Sequence, residues 1–399
     1  MDADLSRGEA PSMMEPLRIS NTSKYYTTLA DLAVELSAKS TGLKRSLPYP
    51  IVDALSDLVR SMNCYYSNLI EGHDTHPVDI EQALNEDYSV DPKKRDLQLE
   101  ARAHIHVQKW IDGGGLDGRA MAAGGILETH KRFCNLLPDE LLWVEYPETG
   151  ERVKVVPGQY RERDVQVGHH IAISPNSVPD FMSRFEGAFA GHGRVDTILS
   201  SAIAHHRLLW IHPFLDGNGR VARLMSHAVL NEAMDTGGLW SISRGLAKKH
   251  KDYKAHLASC DLPRRNDLDG RGNLSEEELA KFVHFYLKQC IDQVDFMESL
   301  MQPKRLRDRI RIWAEEEVRA GELPPKAIQI LDAILYRGEI ERGELPELLG
   351  GVTPRHARRV SSSLLSKGVF TAAGPRSPLR LAFPAALAGR WMPKLFPDQ

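Results

Sequence analysis

The run HPFLDGNGRVARL, His212 to Leu224, places an imidazole, a carboxylate, a Gly-Asn-Gly turn and two arginines between two stretches of helical apolar spacing. The stretch before it, Val195–Trp210, and the stretch after it, Val221–Asn231, both read as helices, so the run is a loop that opens a helix. Gly217 and Gly219 permit backbone angles closed to other residues and let successive N–H groups converge. The unpaired N–H groups and positive dipole end of the following helix point the same way. That arrangement binds anions, phosphate above all. Arg220 and Arg223 are three apart and share a helix face. A planar guanidinium holds two phosphate oxygens at once, so two of them beside an N–H nest imply more than one phosphate. Asp216 is the hard oxygen ligand that Mg²⁺ takes when phosphates complete its shell. His212 titrates nearest neutrality in the cluster and is placed to take a proton from an attacking hydroxyl. A glycine turn alone, a loop histidine alone or an arginine alone has a plainer structural reading. Their joint occurrence describes a nucleotide-phosphate site with a base and a metal carboxylate. Phosphoryl or nucleotidyl transfer follows, and the residues leave open which phosphorus is attacked. Walker, kinase and Rossmann patterns are absent from the sequence.

The rest of the chain narrows the class. Its 399 residues suffice for two or three domains, and a net charge of −3 from 51 basic and 54 acidic residues requires no polyanion partner. From Thr353 to Lys394 there are eight Lys or Arg and no acidic residue, a local basic face in an otherwise balanced chain. Cys64, Cys134, Cys260 and Cys290 are widely spaced and form no CxxC pair, as expected of reduced thiols in the cytoplasm. No apolar segment approaches a membrane span, and the start MDADLSRGEAPSMMEP is too acidic and polar for a signal peptide.

After an expectedly mobile start, the spacing of Ile51, Leu55, Leu58, Val59 and Met62 predicts a helix over 48–70, with Gly72 at a C-cap position. Further helices are expected at 96–111, 120–137, 177–190, 195–210, 218–236, 244–259 and 275–300. Extended pieces at Val153–Val156 and Val165–Ile173 suggest one hairpin edge. This mainly α pattern lacks the strand–helix alternation of a doubly wound sheet. A charged connecting helix follows at 301–321. Beyond it, three short helices and two strand-like pieces about a Gly-Pro turn are the order of a winged helix-turn-helix over 322–399. Its third helix carries Arg355, Arg358 and Arg359, a face suited to DNA and equally to a protein partner or a homodimer. Asp267–Glu278 begins like a calcium loop, but Arg271 would repel the ion; Ser275 and Glu278 read better as a capping box.

At the end of the early helix lies SNLIEGH. Ser67 and Glu71 are four apart on one face, and Glu71 sits where the helix dipole disfavours a carboxylate. A cation partner would offset that; a solvated Glu ahead of a glycine cap is the plainer reading.

HPFLDGNGRVAR matches in full the Fic signature, His-x-Phe-x-Asp/Glu-Gly-Asn-Gly-Arg-x-x-Arg, and SAIAHHRLLWIHPF resembles the helix that enters the Fic loop. The resemblance covers roughly residues 45 to 300. It implies a Fic helical core over 111–300 with a small β-hairpin flap, behind an N-terminal helical region, 1–110. It further implies transfer of AMP from ATP to a Ser, Thr or Tyr hydroxyl of a target protein, on another chain or on this one. By that resemblance His212 is the general base, Asp216 the Mg²⁺ ligand, and Gly217, Asn218 and Gly219 the α-phosphate cradle. Arg220 clamps the β-phosphate and Arg223 the γ-phosphate, while Phe214 anchors the loop in the core. SNLIEG likewise resembles the family's inhibitory motif, placing Ser67, Glu71 and Gly72 on an inhibitory helix, 48–72. Glu71 would then pair with Arg223 and deny it to ATP. The extended VQVGHHIAI resembles the flap that aligns a target backbone by strand addition. Two other readings accompany this one: a DNA-binding regulator with a nucleotide-sensing or self-modifying Fic domain, and a hydrolase that removes AMP from modified targets.

Overall fold

The structure, a computed structural model, describes residues 7–146 and 149–397; the first six residues of the expected N-terminal region lie outside these. The chain forms two compact units. One comprises Met1–Ser40, Asn63–Thr236 and Ser241–Gln293; the other comprises Thr41–Met62, Gly237–Trp240 and Val294–Gln399. The 48–72 helical span is shared between them, and the 301–321 span falls inside the second unit.

The first unit is built around the two helices that flank the glycine loop, Arg194–Ile211 and Asn218–Met234, which pack on each other. Every residue from Ile198 to Leu208 is buried, as in a helix that is core on all sides. Its polar residues are therefore paired internally. The His205 ring lies 2.8 Å from the Ser226 hydroxyl through Nδ1 and 2.7 Å from the Tyr253 hydroxyl through Nε2. Tyr253 is thus a core residue. Pro92–Asp112 and Ala123–Asn135 pack against the second of the central helices, and Val178–Phe189 against the first. Asp91 caps its helix by accepting from the Lys93 amide at 2.9 Å. Ser275 accepts from the Glu278 amide at 3.1 Å at the start of Glu276–Met301, and Asp269 is spent on Ser275 and on the Glu277 and Arg265 amides.

Three expectations are corrected here. The start is not mobile throughout, because Tyr26–Arg45 is a helix whose Leu29, Leu32, Ala33, Leu36 and Leu43 form a buried stripe at helical spacing. The extended pieces do not pair with each other. Arg152–Lys154 pairs with Trp143–Glu145, while Gln166–Val167 turns through Gly168 to pair with His170–Ile171. Finally, 244–259 is two helices, Ile242–Lys248 and His250–Ser259, broken where Lys249 leaves helical angles at φ −113° and ψ 35°.

The second unit contains helices Pro303–Arg319, Ala327–Arg337, Leu345–Leu348, Pro354–Ser366 and Ala385–Trp391. A small antiparallel sheet places Leu379–Leu381 between Glu339–Ile340 and Phe370–Thr371. Trp313 and Trp391 meet edge to face at 5.2 Å between ring centres, both almost wholly buried. Trp391→Ala is expected to destabilise this unit by about 3–5 kcal/mol, read as a shift of its own denaturant midpoint. No helix among the described residues is long and apolar enough to cross a membrane.

Candidate active site

His212 ends the helix that enters the loop, in the left-handed region at φ 52° and ψ 61°. A non-glycine residue held there stores strain. The turn is fixed from both sides. The His212 amide donates to the Leu208 carbonyl at 3.0 Å, and its carbonyl accepts from Arg161 Nε at 2.7 Å. His212 Nδ1 lies 3.3 Å from the Leu209 carbonyl, to which only an N–H can donate, so the Nε2 lone pair is free to accept a proton. Burial pushes its imidazolium down to about 4, so the ring is neutral at pH 7.

Arg161 is not legible in the sequence as a site residue. It is 4% exposed, and its guanidinium donates to the carbonyls of His212, Arg163 at 2.8 Å and Ile173, tying the loop to the segment after the 166–171 hairpin. Its own amide donates to Pro213 at 2.9 Å. Arg161→Met is expected to lower stability by about 3 kcal/mol by leaving buried carbonyls unpaired. Thermal unfolding checks this; an unchanged melting temperature would refute the role.

Phe214 is wholly buried and stacks on His130 with ring centres 3.8 Å apart and planes within 2°. Asn218 braces the loop: its Oδ1 accepts from the Phe214 amide at 2.9 Å and its Nδ2 donates to the Phe214 carbonyl at 2.8 Å. The side-chain amide is therefore committed to loop shape, leaving the backbone to meet a ligand. Gly217 is the N-cap at φ 81° with no side-chain cap, so the first N–H groups of Asn218–Met234 stay available to an anion. Asp216 is exposed beside them. Among the described residues no group of three or more His, Cys, Asp or Glu could hold a metal.

Opposite the loop, the helix Tyr49–Ile70 ends in a left-handed glycine turn. The His73 amide donates to the Asn68 carbonyl at 2.9 Å and the Gly72 amide to Leu69 at 3.1 Å, the paired bonds of a Schellman cap. This cap holds Glu71 over the loop. Arg223, with 2% of its side chain exposed, donates through Nη2 to Glu71 Oε1 at 2.5 Å and through Nε to Ser67 Oγ at 2.8 Å. Burial raises the Glu71 carboxyl, but Arg223 outweighs it and holds the group below its ordinary value. A Cβ added at Gly219 would lie 2.3 Å from Glu71 Oε1, so the carboxylate occupies the space directly over the glycine cradle.

The segment 126–230, which spans the entering helix, the loop and most of the helix that follows, matches the model of the Fic/DOC family. Residues 126–230 are thus a Fic/DOC segment within the chain. The chain is similar to "Protein adenylyltransferase Fic" of Drosophila willistoni, 27% identical over 202 residues, covering 49% of this chain and 38% of that protein. The protein of the same description from Culex quinquefasciatus is 31% identical over 175 residues, covering 42% of this chain and 31% of that one. The chain thus spans about a third of the length of these relatives. A Fic family protein from Desulfovibrio desulfuricans G20 shares the fold at a TM-score of 0.52 and 18% identity, over 92% of this chain and 98% of that one. The Fic loop here is His212–Arg223.

Four imidazoles of the first unit are held neutral by burial: His104 and His205 at about 3, His130 and His212 at about 4. The unfolded chain protonates them below about 6.5, so it binds more protons than the fold as pH falls from there toward 4. Stability is therefore full above pH 6.5 and lost on acidification, by up to about 1.4 kcal/mol per pH unit for each group. Urea midpoints at pH 7 and 5 check this. His104→Leu, which removes a buried ring with both nitrogens unpartnered, should flatten the slope; an unchanged slope would count against it.

Proposed function

We propose that the chain is a protein adenylyltransferase that moves AMP from ATP to a protein hydroxyl and is restrained by Glu71. The observation that carries this reading is the Arg223–Glu71 pair lying over Gly219, next to a neutral imidazole with a free Nε2. The backbone N–H groups at the start of Asn218–Met234 would receive the α-phosphate region, and Arg220 and Arg223 the β- and γ-phosphates. Asp216 fits a Mg²⁺ held by one carboxylate together with phosphate oxygens, as its exposure and the lack of an all-protein cage among the described residues imply. When bound, Mg²⁺ neutralises charge on the phosphate oxygens.

His212 Nε2 takes the proton of the target hydroxyl, whose oxygen bonds to the α-phosphorus while pyrophosphate leaves with the bond electrons. Arg220 offsets the charge that grows on the departing oxygen. The hairpin Gln166–Ile171 has outward edges for a target strand. Glu71 opposes all of this by holding Arg223 and filling the cradle. Transfer of ³²P from α-labelled ATP, measured in wild type and Glu71→Gly, tests the reading.

A second reading rests on Arg355, Arg358 and Arg359, all exposed on Pro354–Ser366 and without an acidic partner among the described residues. If 322–399 is a winged helix-turn-helix, this face meets DNA phosphates, and the Fic domain would regulate or modify a DNA-bound protein. Changing the three to Gln should abolish salt-dependent DNA binding and leave AMP transfer intact.

A further inference from the structure

Arg220 has a counter-ion of its own. Glu100, on the helix Pro92–Asp112, accepts from Arg220 Nη2 at 2.9 Å, and both side chains are largely buried, with 13% and 7% exposed. The same Glu100 oxygen lies 2.8 Å from His73 Nδ1. His73 Nδ1 and Arg220 Nη2 are 3.1 Å apart because both donate to that one oxygen. The remaining guanidinium nitrogens are uncommitted among the described residues: Nε is buried without a partner, and Nη1 makes no hydrogen bond. Phe133 lies under the guanidinium, 5.4 Å from ring centre to Cζ.

The two arginines of the Fic loop are thus held differently. Glu71 belongs to a helix end and a glycine turn, whereas Glu100 projects from the interior of a 21-residue helix whose flanking Ala101, Ala103 and His104 are buried. A carboxylate so placed does not leave when Glu71 does. Asp216 is the next carboxylate acting on Arg220 after Glu100, ahead of Glu71. Without Glu100, the guanidinium would be drawn toward Asp216, and the cation meant for phosphate would cover the carboxylate meant for metal.

We infer that Glu100 is a positioning residue, a fixed counter-ion that holds Arg220 through Nη2 and keeps Nη1 free for the second phosphate of a bound nucleotide. This rests on the nucleotide-binding reading of the Fic loop, and it assigns Glu100 a role that does not involve the reacting atoms. It also separates the two carboxylates by effect: removing Glu71 admits the nucleotide, and removing Glu100 weakens its grip.

Calorimetric titration of the full chain with ATP, ADP and AMP, in a Glu71→Gly background with and without Glu100→Gln, tests this. ATP and ADP affinity should each fall about tenfold, the effect of removing one charge-assisted hydrogen bond, while AMP, which has no second phosphate, binds as before. Unchanged AMP binding also reports that the fold survives. In an Arg220→Ala background, Glu100→Gln should have no further effect, which a purely structural role would not produce. Equal weakening of all three nucleotides, or tighter ATP binding in Glu100→Gln, would overturn the inference. Failure of Glu71→Gly itself to bind any nucleotide would overturn the Fic-loop reading and this inference with it.

Discussion

Glu71→Gly is expected to bind ATP at least about ten times more tightly than wild type and to transfer AMP correspondingly faster at limiting ATP. Two effects combine. The substitution frees Arg223, whose Nη2 is committed to the carboxylate, and it empties the space over Gly219, where Glu71 Oε1 would lie 2.3 Å from an added Cβ. Glycine extends the turn already set by Gly72, so the helix end should keep its course. The Ser67 hydroxyl oxygen still accepts from Arg223 Nε, which keeps the arginine aimed when its carboxylate is gone. Calorimetry checks the affinity. Equal ATP binding by the two proteins would mean that the ion pair restrains nothing.

His212→Ala in that background should lower the transfer rate about 10²- to 10⁴-fold with ATP affinity nearly unchanged. Among the described residues the ring's one hydrogen bond joins Nδ1 to the Leu209 carbonyl of the entering helix, and in the proposed transfer it is a proton acceptor rather than a phosphate contact. A loss confined to the rate, with nucleotide binding retained, separates a base from a structural residue. Loss of ATP binding would instead assign His212 to holding the loop, where its left-handed backbone already places it.

Much of this is written locally in the sequence. The loop can be recognised because its residues lie close together: a histidine, two glycines and two arginines within about twelve positions, running from one helix end into the next helix. Glu71 is readable only through its resemblance to the inhibitory motif, because helix position alone favours a solvated carboxylate ahead of a glycine cap. The residues that escape a sequence reading act across long separations. Arg161 meets His212 over 51 positions and Arg220 meets Glu100 over 120, and no local period marks such partners. Asn218 shows the opposite limit: its place in the motif is plain, yet only the structure reveals both ends of its amide bonded to Phe214. Strand pairing fails for a related reason. Short polar strands such as Gln166–Val167 carry no burial pattern that fixes a partner. The Tyr26–Arg45 helix, by contrast, has a clear apolar stripe, hidden only by the polar start that it follows.

The measurement closest to the central claim is intact-mass analysis of three proteins after incubation with ATP and Mg²⁺, alone and with a cell lysate. These are the wild type, Glu71→Gly, and Glu71→Gly with His212→Ala. An added AMP on the chain or on a lysate protein is expected with Glu71→Gly, weakly with wild type, and not at all once His212 is removed. No AMP adduct on any protein with Glu71→Gly, while that variant binds ATP, would contradict adenylyl transfer by this site.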